Sequence, residues 1–439
     1  MNTGDTAWVL VSAALVLLML PGLALFYGGM TRAKSTLNMM MMVFGALFLV
    51  GVLWILYGYS VAFGTDGGSG LLGDPTEFLG LEGLMADDPE ATLPVMAFVG
   101  FQALFACITV ALIAGAIADR ARFGTWMVFA GIWATIVYFP VAHWVWGTGG
   151  WIFEGMGPLN GVPAIDFAGG TAVHINAGAA ALALALILGK RLGWPKTPMK
   201  PHNLTLVMLG AGLLWFGWFG FNAGSALAAD NTAAVVFVNT IAATCAAALA
   251  WLLVERIRDG HATSLGAASG IVAGLVAITP ACSAVSPVGA LILGIVAGAA
   301  CALFVPLKYK LGYDDSLDVV GVHLIGGLVG TLLIGFLATE AAPAGVNGLF
   351  YGGGTEQLVS QAIAAFAVLA FAFVVTLIIA KILDLVIGFR VDEDTEITGV
   401  DVVEHAEIAY ELGDSGAGGS FAGTSERAAR AKQAEEVKA

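Results

Sequence analysis

Charge is scarce in this chain. Asp, Glu, Lys and Arg make up 11% of the 439 residues, where an ordinary soluble domain carries about 25%, and the mean hydropathy is +0.88. So little charge cannot coat a soluble protein of this length, and the composition is that of an integral membrane protein. Cysteine is scarce as well. Cys107, Cys245, Cys282 and Cys301 stand singly in apolar stretches, without the close pairing that a zinc or redox motif needs, and read as structural filler. The opening MNTGDTAWVL lacks the basic segment of a secretory signal peptide, so the first apolar stretch is expected to remain as a helix. No GxxxxGKS/T, HExxH or GxSxG occurs, which leaves nucleotide-driven pumping and familiar hydrolase chemistry without support. The net charge of −14 sits in loops and the tail and carries no nucleic-acid inference.

What the chain has in abundance is apolar runs of about 20 residues, enough helix to cross a hydrocarbon core of about 30 Å. Eleven are expected, near 7–31, 38–63, 94–118, 125–147, 168–190, 204–223, 232–254, 264–279, 287–305, 320–338 and 359–387. The basic residues test this count, because Lys and Arg are retained on the cytoplasmic side. They fall only in alternate gaps: Arg32 and Lys34, Arg120 and Arg122, the stretch from Lys190 to Lys200, Arg256 and Arg258, Lys308 and Lys310, then Lys381, Arg390 and the C-terminal four. The gap 64–93 instead carries Asp66, Asp74, Glu77, Glu82, Asp87, Asp88 and Glu90. The N-terminus is therefore expected outside and the C-terminus inside. Residues 1–390 read as the membrane domain and 391–439 as a cytoplasmic tail, its last 25 or so residues expected to be disordered from composition.

DFAGGTAVHINAG places Asp166 eight residues before His174, and DDSLDVVGVHLIGG places Asp315 eight before His323. Eight residues of helix rise about 12 Å, so each histidine is expected near the bilayer midplane, approached from opposite faces. This suggests two five-helix halves of opposite orientation with a site at their interface, followed by an eleventh helix. A histidine at the centre of a span marks a pathway or relay, or else hydrogen-bonds a neighbouring helix and holds the bundle together. His143, His202, His261 and His405 lie near span ends, in loops or in the tail and read as solvated or interfacial. Asp166 suits a helix cap and equally a cation-stabilising charge; Asp315 and Asp318 suit caps of the tenth span. Phe101, Phe105, Tyr138, His143, Trp144, Trp146, Phe219, Phe221 and Ser225 gather near the outer ends of spans 3, 4 and 6. They form either interfacial belts or a cup for a cation.

DFAGGTAVHINAG, together with FYGGM, FQALFACITVALIAGAIADR, WGWFGFNAGSA, SGIVAGLVAITPACS and DDSLDVVGVHLIGGLVG, closely resembles the ammonium transporters of the Amt/Mep/Rh superfamily, over nearly the whole membrane region. The resemblance implies an all-α protomer of eleven transmembrane helices, with two inverted five-helix halves plus a final helix. It also implies a homotrimer in the cell membrane with one pore per subunit. By that resemblance Trp146, Phe105 and Ser225 match an external ammonium-recruitment site, Asp166 the carboxylate beneath it, Phe105 and Phe221 the rings closing the pore, and His174 and His323 its paired histidines. Trp146 and Ser225 favour the Amt branch over the Rh branch. The segment GFRVDEDTEITGVDVVEHAEIAYEL resembles the regulatory tail on which PII-type proteins dock. It departs from the family pattern at Val400 and Ala406.

The expected function is electrogenic ammonium uptake: NH4+ is recruited and deprotonated, NH3 passes a dry pore, and His174 with His323 relays the proton. An electroneutral NH3 channel, or an ammonium sensor signalling through its tail, is the alternative. No enzyme activity, cofactor or metal is expected. A metalloenzyme built on Asp166, His174 and His323 would need converging ligands, and about 12 Å of helix separates the first two.

Overall fold

The computed structural model describes residues 1–86 and 91–410. Asp87, Asp88, Glu90 and the expected disordered end of the tail lie outside the described residues. Among those described, the architecture is all-helical, with isolated bridges and no strand.

A helix stands at each of the eleven expected spans. Ten are long and apolar enough to cross a membrane: α1 (Thr3–Met30), α2 (Ala33–Phe63), α3 (Val95–Ile117), α4 (Phe123–Trp146), α5 (Gly170–Leu188), α6 (Leu204–Gly224), α7 (Asn231–Asp259), α9 (Pro287–Leu311), α10 (Val320–Leu337) and α11 (Glu356–Val386). The helix at the eighth span, α8 (Ser264–Ile278), has 15 residues, about 22 Å of rise, and hands over to turns from Thr279 to Ala284.

Polar side chains set the starts. Asn2 accepts from the Gly4 and Asp5 amides, Asn203 from Leu206, Asp230 from Ala233, Thr263 from Gly266 and Ser286 from Gly289, relieving amides that have no partner within a helix. Glycines set the closest approaches. A Cβ on Gly29 of α1 would come within 2.7 Å of the Asn203 carbonyl at the start of α6, and one on Gly178 of α5 within 2.6 Å of the Leu324 amide of α10. Small residues at such crossings let helices pack where lipid supplies no hydrophobic drive.

The expectation of regular helix from Asp166 to His174 is corrected. Gly169 has φ +121°, α5 starts only at Gly170, and its first six residues, Gly170–Ile175, form a π-helix. The first turns of α10, Val320–Leu324, do the same. Both histidines therefore sit in widened turns, a feature that recurs at functional sites.

At the face carrying the basic loops, the Arg191 guanidinium grips Asp314 through two contacts of 2.9 and 2.8 Å and reaches Asp119 at 3.0 Å. Glu396 joins Arg390 at 2.9 Å. The Asp401 carboxylate accepts from the Leu37 and Asn38 amides at the start of α2. Residues 391–410 are thus tied to the loops between the helices.

Candidate functional site

The site begins at Asp166. Its carboxylate accepts from four consecutive amides, Gly169 and Gly170 at one oxygen (2.8 and 2.6 Å), Thr171 and Ala172 at the other (2.8 and 3.0 Å). These are the orphan donors of the α5 N-terminus, so Asp166 is a cap. At 8% exposure its carboxyl group is also buried beside the aromatic cluster. The Asp166 carbonyl takes the Trp146 indole N–H at 2.9 Å.

Trp146, the last residue of α4, meets the Phe105 ring edge-on at 5.9 Å between centroids. Phe105 in turn stacks on Phe221 at 4.1 Å with 16° between planes, and both are buried. Ser225, one turn beyond Phe221 and half-buried, donates its hydroxyl to the Phe221 carbonyl at 2.8 Å. Trp146, Phe105, Phe221, Ser225 and Asp166 therefore form one connected cluster from four separate segments of chain.

Beyond the stacked rings lies a cavity of about 10 Å³ lined by His174, His323, Trp218, Phe221, Ile108 and Val272, with further aliphatic side chains. That volume is about one water. The histidines meet Nδ1 to Nδ1 at 3.2 Å, with ring centroids 5.3 Å apart. One ring must donate and the other accept, so a single proton lies between them. A neutral accepting ring then carries its own proton on Nε2. The His174 Nε2 has no hydrogen-bond partner.

Several sequence expectations change here. Trp218 was not among the candidates, yet it stacks on His174 at 5.4 Å and donates to the Thr279 hydroxyl at 2.9 Å. It stands three residues before Phe221, hence on the same helix face, and that spacing was the available signal. Phe219 turns the other way and stacks on Phe237. Trp144 donates to the Leu71 carbonyl, and Phe101 packs behind Phe105. His143 stands at the end of α4 as expected but is fully buried, so reading it as solvated is wrong: Asp66, far away in sequence, reaches its ring. Asp315 does cap α10, accepting from the Val320 amide at 2.7 Å, whereas Asp318 pairs with Lys308 instead. Among the described residues, no three His, Cys, Asp or Glu side chains converge as a metal site.

Long apolar helices around a small, nearly dry internal cavity with two buried histidines point to a multi-pass membrane transport protein. Comparison with known proteins narrows the class. The profile of the Ammonium Transporter Family matches residues 7–410. An ammonium transporter of Mycobacterium tuberculosis is 61% identical over 432 residues, covering 93% of this chain and 90% of that one. The crystal structure of Saccharomyces cerevisiae Mep2 superposes with a TM-score of 0.81 at 35% identity, covering 90% and 88% of the two chains. A structure titled Sensor Amt Protein gives a TM-score of 0.84 at 28% identity, covering 92% and 98%. The chain belongs to the Ammonium Transporter Family.

Proposed function

We propose that this protein carries ammonium across the cell membrane by separating the ion into ammonia and a proton. The observation that carries the reading is the pair His174 and His323, in Nδ1 contact inside a passage with room for about one water. Trp146, Phe105 and Ser225 recruit NH4+ at the external face. Cation-π contact there is worth about 0.5–2 kcal/mol, against tens of kcal/mol for placing a bare ion in a low-dielectric medium. Asp166, its charge spread over four amides, adds electrostatic stabilisation through the intervening backbone. The bare cation still cannot cross the aliphatic passage, but NH3 can. Phe105 and Phe221 move aside for it, and the histidine chain carries the proton, since an imidazole has a nitrogen to receive on and another to release from.

K⁺ is similar in size to NH4+ but has no proton to give up, so a passage of this kind rejects it. The electroneutral alternative keeps the same passage and omits the relay. In this reading the eleven helices are all crossings, with N-terminus outside, C-terminus inside and two inverted five-helix halves followed by α11. Support comes from the confinement of Lys and Arg to alternate loops and from the matching Asp/His pairs at two π-helical starts. The protomer assembles as a homotrimer in lipid, and the tail 391–439 is a regulatory segment for a PII-type partner on the cytoplasmic face. Purified protein in proteoliposomes should take up ammonium and give a transient current on an ammonium step but none on an equal K⁺ step. Equal currents for the two ions would overturn the proposal.

A further inference from the structure

His143 lies outside the passage, in the last turn of α4, and its ring is pinned at both nitrogens. Nδ1 stands 3.0 Å from the Ala62 carbonyl oxygen and Nε2 3.1 Å from Asp66 Oδ2. A backbone carbonyl and an ionised carboxylate only accept, while a neutral imidazole has one N–H. Both contacts can be hydrogen bonds only if the pair holds one additional proton. It sits on the imidazole, giving a cation between two acceptors, or on Asp66, whose O–H then donates to Nε2.

The surroundings favour the cation. Asp66 also accepts from the Gly68 and Gly70 amides. Burial pushes its pKa up, yet the Gly70 and Gly68 amides and His143 together hold the carboxyl below its usual range. The C-terminal end of α4 presents the negative end of the helix dipole to His143. Of the ionisable groups on the adjoining loop segments, Glu77 and Glu154 border with Asp66 a cavity of about 640 Å³, and the Asp74 carboxylate is held by the Thr76 amide and hydroxyl. Glu77 is held by the Thr65 amide and hydroxyl, and Glu154 by the Gly149 amide. From α2, Ala62 presents only its carbonyl.

The pair joins two segments that shape the recruitment cluster. Loop 64–74 is fastened to the end of α4 by Asp66, by the Trp144 indole on the Leu71 carbonyl (2.9 Å) and by the Trp151 amide on the Gly70 carbonyl (3.1 Å). Trp146 follows His143 by three residues and ends the same helix. There is no slack at the ring: a Cβ on Gly147 would lie 2.5 Å from Nδ1, and one on Gly149 would lie 2.6 Å from the Asp66 Cβ. When the additional proton leaves, a lone pair of the ring faces either Ala62 or Asp66, and one contact opens.

We propose that His143 and Asp66 form a proton-holding pair that positions Trp146, so that ammonium capture at the external face weakens when the pair loses its proton. The role rests on the transport reading above. His143 and Asp66 are positioning residues and do not touch the ion.

Two measurements test it. In a neutron map of the deuterated wild-type protein at neutral pH, two deuterons lie in the pair, one toward Ala62 and one between Nε2 and Oδ2. A single deuteron overturns the proposal without bearing on transport. In proteoliposome currents against external pH, with the NH4+ fraction held constant, K0.5 rises about tenfold one pH unit above the midpoint of the pair, where about a tenth of the molecules keep the proton. The step vanishes in His143→Gln, whose amide has no proton to lose over this range. A K0.5 profile that runs in parallel in wild type and His143→Gln overturns the positioning role alone. Absence of both ammonium uptake and ammonium current in the wild type overturns the transport reading and this role with it.

Discussion

At the residue scale, the Asp166 carboxylate satisfies four buried amides; in the proposed function the same group also stabilises the recruited cation, so one substitution touches both. Asp166→Asn keeps one acceptor oxygen and turns an NH2 toward amides it cannot serve. Each buried donor left without a partner costs about 1–3 kcal/mol, so this variant should melt earlier in detergent as well as lose uptake. Trp146→Leu, by contrast, leaves the fold intact. It removes about 0.5–2 kcal/mol of cation-π attraction, raising the K0.5 for ammonium currents about two- to thirtyfold. Asp166, Trp146, Phe105 and the two histidines were legible in the sequence because polar or aromatic groups stand out within apolar runs. Trp218 and the His143–Asp66 contact were not read. An all-apolar helix has no polar face to set against an apolar one, so only the three-residue spacing from Phe221 marked Trp218, and the partner of His143 comes from a distant loop.

At the element scale, the spans were legible from length and hydropathy, but their interruptions were not. A π-helical turn leaves no mark on composition, and the starts of α5 and α10 depend on tertiary partners such as Pro280, which leaves no space for a Cβ at Gly170. The crossing of α1 and α6 depends on the same kind of fit. A Cβ on Gly210 would collide with the Phe26 backbone, so Gly210→Ala should destabilise by about 1–3 kcal/mol, seen as a lower melting temperature with the ion selectivity of the surviving protein unchanged.

The loop elements carry a pH dependence of their own. Burial pushes the Asp314 carboxyl up, but hydrogen bonds and charge from Arg191, with Arg120 beyond, more than offset this and leave it below its usual range. A depressed folded value means that the stabilisation is complete above the unfolded value of about 4 and is lost as pH falls through the folded one. Melting temperature should therefore drop in acid below about pH 4. Asp314→Asn should lower it by the equivalent of about 3–5 kcal/mol at neutral pH and flatten the acid limb.

At the scale of the whole molecule, residues 391–410 are joined to Arg390 through Glu396 and to the start of α2 through Asp401. If transport is the primary activity, protein cut after Arg390 still takes up ammonium in proteoliposomes, at an altered rate. A sensor with little flux shows negligible uptake with or without the tail. The central claim is narrower, that charge crosses only because the two histidines pass a proton along a passage closed to ions. It is tested most directly by the current of the His174→Ala, His323→Ala double variant on a solid-supported membrane, with ammonium and K⁺ steps compared in one preparation. The account predicts that the ammonium-selective current disappears, or that selectivity fails and K⁺ is conducted as well. An ammonium-selective current equal to that of the wild type would contradict it.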